Sequence, residues 1–185
     1  MIRQTLRAAA LLLMLAAPVF GQASAPATPS PEATPEPEHA GVFNGRLGQT
    51  RVTLPKLAGA VRIDGVLDEA VWTQAALLTG FSQYSPVDRL PAADSTEVLV
   101  WYSDHAIYFG VRAFEPHGAV IATLAERDRI GGDDHVQFLL DTFNDRRRAL
   151  VFAVNPLGVQ SDGTFAEGGS GGGSDLSPDF LFESR

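Results

Sequence analysis

The 185-residue chain contains no cysteine. Disulfides, thiolate metal sites and cysteine nucleophiles are thereby excluded, and a folded domain has to be held together by its core. Methionine is nearly as scarce, with Met1 and Met14 the only two. A chain processed beyond Met14 therefore has no thioether to offer a metal or a haem, which counts against a haem-carrying sandwich. Positive charge is in deficit as well: 14 Lys and Arg stand against 22 Asp and Glu, a formal charge of −8. That sign does not suit the phosphates of nucleic acid, whereas cations and neutral ligands such as sugars remain compatible with it. Beyond the first 19 residues no segment is apolar for long enough to cross a bilayer, which takes about 20 residues.

What is present begins with the pattern of an export signal. Arg3 and Arg7 form a basic flank, residues 8–19 are apolar, and small residues at 21–25 offer cleavage sites. A membrane anchor is the alternative, for which the apolar run is short. Pro26 follows Ala25 directly and favours cleavage after Ala23, so residues 1–23 are expected to be a signal peptide. Its removal takes away Arg3 and Arg7 and no acid, moving the charge from −8 to −10. Export to the periplasm, the outer-membrane surface or the exterior follows. Residues 24–40 are rich in Pro, Ala, Thr, Ser and Glu without apolar periodicity, a composition that does not offset its ordering entropy by burial. A disordered tether is expected over 24–57, with 51–54 as a candidate arriving strand, and a folded domain over 58–185.

Within that domain the alternation of apolar and polar residues predicts strands. The central pair is 135–141, where Val136, Phe138 and Leu140 alternate with Gln137 and Leu139, and 149–155, ending at Asn155 before Pro156. Asn144-Asp145 supplies turn chemistry between them. A second hairpin, 97–103 and 106–114, is apolar on both faces and so belongs inside a two-layer structure. Further strands are expected at 61–64, 77–83, 158–165 and 180–182, a strand or helical turn at 120–125, and a flexible loop at 168–173. One short helix is expected at 67–75, with Val71 and Trp72 facing inward. The fold class is all-β: an antiparallel, jelly-roll-like β-sandwich with one short helix, its C-terminal strands cut short relative to a complete domain.

Three linked segments carry a resemblance: Ile63-Asp64-Gly65-x-Leu67-Asp68-Glu69-x-x-Trp72, the hairpin 98–111, and Asp134-x-Val136-Gln137-x-x-x-Asp141 with its continuation through Asn155 and Gln160-x-Asp162-Gly163. Together they resemble family 9 carbohydrate-binding modules, in the version found at the N-terminus of bacterial exported proteins with an outer-membrane C-terminal region. The resemblance implies a β-sandwich that binds glycan ends, often with structural calcium. In the family two tryptophans clamp the sugar, and a Glu, an Arg and an Asn hydrogen-bond it. Gln137 stands at the position of that Glu and Asn155 at that of the Asn. Ala153 replaces the Arg, and Ile130-Gly131-Gly132-Asp133 stands where one clamp tryptophan is expected.

The candidate carbohydrate-binding residues are therefore Gln137, Asn155, Trp101 and Asp133. Each has a plainer reading: Trp101 and Trp72 as core side chains, Gln137 and Asn155 as a satisfied polar pair within the sandwich. Asp141, Asn144 and Asp145 are candidate calcium ligands, with a solvated turn as the alternative because no EF-hand loop is present. Asp133 and Asp134, adjacent on a strand, would point to opposite faces and so fail to flank one glycosidic bond. Arg146-Arg147-Arg148 reads as a solvated turn, and His39, His105, His117 and His135 lack metal-ligand spacing. Two functions follow: a non-catalytic glycan-binding module of a larger carbohydrate-active or outer-membrane protein, or an interaction domain of such a protein that has lost sugar binding. No catalysis is expected of this fragment, and no nucleic-acid partner.

Overall fold

Strands form where the sequence alternates or is rich in β-branched and aromatic residues, and they assemble into two four-stranded sheets. The computed structural model describes residues 39–116, 118–167 and 174–185. All of them fall in the second of two units into which the chain divides, Pro35–Arg185. The expected signal peptide, the tether up to residue 38, His117 and the glycine-rich stretch 168–173 lie outside the described residues.

The first sheet has the order β1-β2-β3-β4: β1 (Gly41–Asn44), β2 (Ala76–Thr79), β3 (Thr96–Tyr102) and β4 (Ile107–Ala113). β1 runs parallel to β2 and the remaining pairs are antiparallel. The second has the order β5-β6-β7-β8: β5 (Val136–Leu140), β6 (Arg148–Val154), β7 (Gln160–Ala166) and the two-residue β8 (Ser174–Asp175). All its pairs are antiparallel. The all-β expectation holds, and both expected hairpins are present, as β3–β4 and β5–β6.

β3 explains the two-faced hairpin. Val98, Leu99, Val100 and Trp101 are all buried in succession. On one face Leu99 and Trp101 pack with Val71, Trp72 and Ala75, residues of the 3-10 helix Ala70–Gln74 and its end. On the other face, Val100 pairs with Phe109, whose ring stacks on Phe138 of β5 with centroids 4.2 Å apart, reaching from the first sheet to the second. Gly110, opposite Leu99, is where Trp72 and Leu67 cross the sheet: a Cβ there would lie 3.1 Å from Trp72 and 3.0 Å from Leu67. The expected helix at 67–75 shortens to a 3-10 turn because Glu69 turns back. Its carboxylate accepts the Trp72 indole N–H at 2.9 Å and the Arg62 backbone N–H at 2.9 Å. The Arg62 backbone bond is the main reason that the Glu69 carboxyl sits below its ordinary pKa.

Several boundaries differ from expectation. The tether does not extend to residue 57, since β1 already pairs with β2 and Lys56 bridges Tyr102 in parallel. The expected strand at 51–54 is displaced onto 55–57, where the Leu57 N–H donates to the Tyr102 carbonyl and the Tyr102 N–H to Pro55. No strand forms at 61–64, 120–125 or 180–182. In each case side chains, not a neighbouring strand, take up backbone groups: Glu69 at Arg62, Asp133 and Asp134 at 121–123, and Asp162 at Phe180.

Candidate functional site

Gln137 lies on β5, opposite Ala153 of β6, which in turn faces Ser161 of β7. Residues in register share a face, so Gln137, Ala153 and Ser161 form one row across the second sheet. Gln137 is exposed, and so is Leu139 two positions along the strand. Ala153 and Ser161 are buried, as are Val151 and Gly163 in the neighbouring row, and Ala153 packs with Ile130 and Val159, so in this row Gln137 on the edge strand is the residue open to solvent. Of the four residues proposed from sequence for sugar binding, Gln137 is the one whose amide stands open to solvent.

Asn155, two positions beyond Ala153, has a different role. It is 3% exposed and every hydrogen-bonding group of its side chain is used. Its Nδ2 donates to the Thr123 carbonyl and to Asp133 Oδ2, each at 2.8 Å. Its Oδ1 accepts the N–H groups of Leu157 at 3.0 Å and Val159 at 2.9 Å. Asn155 closes the β6–β7 turn and ties it to the segment before β5. The expected glycan contact is thus corrected to a supporting position, because no donor or acceptor is left over for a ligand. The plainer reading of Asn155, a satisfied polar group, holds. Asn155→Ala should lower unfolding stability by about 2 kcal/mol, through lost hydrogen bonds and two stranded backbone donors; urea denaturation measures it.

Asp133 is half-buried beside this network. Its carboxylate accepts from Asn155 Nδ2, from the Thr123 backbone N–H at 3.0 Å and from Thr123 Oγ1 at 3.0 Å. The Asn155 amide first, and then the Thr123 backbone N–H, hold this carboxyl below its ordinary pKa. Asp134 Oδ2 accepts the Ile121 N–H at 2.8 Å. The pair precedes β5, so the opposite-face argument for a strand does not govern it: both carboxylates reach the same segment, 121–123. They serve as clamps for that segment's backbone N–H groups.

The sign of the pH dependence follows. Asp133, Glu69, Asp145 and Asp175 are all lowered. Groups lowered in the folded state stabilise it fully above their unfolded values, near pH 4, and lose that contribution as pH falls through the lower folded values. The urea midpoint should be flat from pH 7 to about pH 5 and drop below about pH 4. Asp133→Asn should shallow that acid limb.

Trp101 is 0% exposed. Its ring stacks on Tyr108 with centroids 4.0 Å apart and meets Trp72 edge-on at 6.1 Å. Its indole N–H has no hydrogen-bond partner among the described residues. A face enclosed in this way cannot be offered to a pyranose, so the sugar-platform expectation for Trp101 is corrected to a core position. Trp72 is buried as expected, so neither tryptophan presents a face.

The calcium candidates belong to the β5–β6 turn. Asp141 Oδ1 accepts the N–H groups of Phe143 and Asp145, and Oδ2 accepts Arg146 at 2.7 Å. Asp145 accepts the N–H groups of Arg147 and Arg148 and the Arg148 Nε at 2.8 Å. These oxygens face into their own turn, where Asn144 and Arg146 adopt positive φ. Among the described residues no three His, Cys, Asp or Glu side chains gather as a metal would need. Arg148 also lies over the Phe143 ring, 4.2 Å from its centroid. Two open hollows, of about 290 and 430 Å³, lie on the first sheet and its approaches, and neither includes Gln137.

Sequence reasoning missed one cluster. Asp162 of β7 is 0% exposed and paired with Arg127 from the segment between β4 and β5, which also contacts Gln160, Asp179 and the carbonyl of Phe180. Strand parity groups Asp162 with Gln160 and Thr164, the more polar side of β7, so the sequence carried no sign that this carboxylate is buried and needs a partner.

The fold and this geometry define an all-β protein of two antiparallel-rich sheets, with the Gln137 amide exposed on the edge strand of the second. No family model, curated protein or solved structure matches the chain.

Proposed function

We propose that the chain is a non-catalytic binding module of jelly-roll-like sandwich form, whose ligand is a glycan met at the exposed residues of the edge strand β5. The observation that carries this reading is the exposed Gln137 amide on β5, with Leu139 exposed beside it two positions along the same strand. An exposed carboxamide offers a donor and an acceptor together, which suits the hydroxyl groups of a sugar. The family 9 resemblance supplies the ligand class. With no aromatic platform from either tryptophan, affinity is expected in the millimolar to high micromolar range. Titration calorimetry against xylo-, cello- and uronic-acid oligosaccharides tests the reading. Saturable binding that falls about tenfold in Gln137→Ala supports it, a loss equal to about one neutral hydrogen bond. Silent titrations on folded protein count against it.

The burial of both tryptophans favours a second reading, an interaction domain attached to an outer-membrane protein that has kept the scaffold without the sugar site. Val120, Ile121 and Leu124 are all exposed on one loop and provide an apolar contact. Sequence following Arg185 discriminates the two: amphipathic strands of about ten residues point to a membrane barrel, a catalytic domain to polysaccharide breakdown.

A further inference from the structure

Residues 179–184 are held in an unusual way. Among the described residues no backbone ladder joins them to β7, and the side chains of the body read their main chain directly. Asp162 Oδ2 accepts the Phe180 N–H at 2.5 Å. Arg127 Nη2 donates to the Phe180 carbonyl at 3.0 Å, and Gln160 Nε2 donates to the Phe182 carbonyl at 3.0 Å. The two aromatic side chains of the segment share a floor: the Phe152 ring is 5.6 Å from that of Phe180 and 5.3 Å from that of Phe182. Arg127 also lies 5.6 Å from the Phe182 centroid. Between them Leu181 projects outward, 105% exposed.

This is how a receptor holds an extended peptide: main-chain groups give affinity, and pockets for alternate side chains give selectivity. The groove is on the side of the second sheet away from Gln137, since Phe152 pairs with Asp162 and each is one residue removed from the Ala153–Ser161 row. We propose that Phe152, Arg127, Gln160 and Asp162 form a recognition site for an extended peptide bearing aromatic side chains two residues apart, occupied in cis by residues 179–182. The middle residue is free to vary, because Leu181 touches nothing that would select it. An anion there would find Arg127, already engaged by Asp162 and Asp179, of little further help, so the ligand is read by its backbone and its rings.

The test uses the full chain carrying Phe180→Ala and Phe182→Ala, which empties the floor, and a fluorescent peptide of sequence SPDFLFESR, residues 177–185. The expected result is saturable anisotropy below about 1 mM, the range in which a tethered segment competes with itself. Adding Arg127→Ala should weaken it at least about tenfold. A peptide with alanine at both aromatic positions should not bind. Absence of binding to a variant that keeps its β-sheet circular dichroism and cooperative melt, or equal binding of the alanine peptide, overturns the proposal. Should the variant fail to fold, hydrogen exchange on the wild-type chain decides. The Phe180 amide should exchange by local release, at least about 100-fold faster than the amides of Leu99 and Val151. Exchange of all three through one global opening overturns the proposal, because the segment is then an inseparable part of the sheet.

Discussion

Trp101→Ala should lower the stability of the chain by about 4 kcal/mol, the cost of deleting a buried aromatic together with the cavity left behind. The side chain is wholly enclosed and packs on Trp72, Tyr108 and Leu99 at the joint between the 3-10 helix and the first sheet. None of these neighbours can swing in to refill the space. Trp72 is tethered to Glu69 through its indole N–H, and Tyr108 is held in register on β4. A melting-temperature drop on the order of 10 °C is expected for a folded unit of this size. Trp101→Phe should cost under about 2 kcal/mol, because it keeps a ring in place and removes an indole N–H that has no partner. The comparison separates core from ligand platform: a sugar-stacking tryptophan would lose affinity on truncation while its fold stayed unchanged.

Arg127→Met is expected to destabilise by about 3 kcal/mol, because it leaves Asp162 buried with its countercharge removed. The value lies at the low end for a broken buried pair, since the Arg127 side chain is itself 36% exposed and water already screens part of the attraction. Asp162→Leu combined with Arg127→Met should recover a good part of the loss, as a neutral pair no longer strands a charge in the core. The recovery will be incomplete, for the Phe180 N–H then lacks its acceptor. A double-mutant cycle in urea measures the coupling. A double variant no better than the single one would mean that Asp162 is hydrated in solution and that the pair contributes little.

The strands were legible wherever periodicity had one cause. β5 alternates because one face is covered, and Val136, Phe138 and Leu140 are half-buried while Gln137 and Leu139 are exposed. β3 announced itself differently, as an uninterrupted apolar run, because the 3-10 helix covers its second face. β1 was not legible: Gly41-Val42-Phe43-Asn44 is short, follows a Pro-rich stretch and is placed by parallel pairing with β2, a tertiary choice. The failures at 61–64, 120–125 and 180–182 share one reason. Each segment is rich in apolar residues, yet carboxylates from other parts of the chain reach in and take backbone N–H groups that a strand would need.

The candidate site was legible in part. The exposure of Gln137 follows from strand parity. The fate of Asn155 does not, because Asx-type bonding at the end of β6 and a long-range bond to Asp133 decide it together. Trp101 was ambiguous in principle, since parity places it with Leu99 but cannot say what covers that face. The β5–β6 turn shows the converse: acidic spacing that suggests ligands also suits a turn that bonds its own backbone.

The glycan reading depends on where a sugar touches the chain, and amide chemical-shift mapping during oligosaccharide titration measures that directly. The account predicts saturable shifts at Gln137, at Leu139 and around Asp133, with the amides of Phe152 and Asp162 on the opposite face unmoved. Shifts confined to the Phe152–Asp162 face, or none at any sugar concentration on a well-dispersed spectrum, would contradict it.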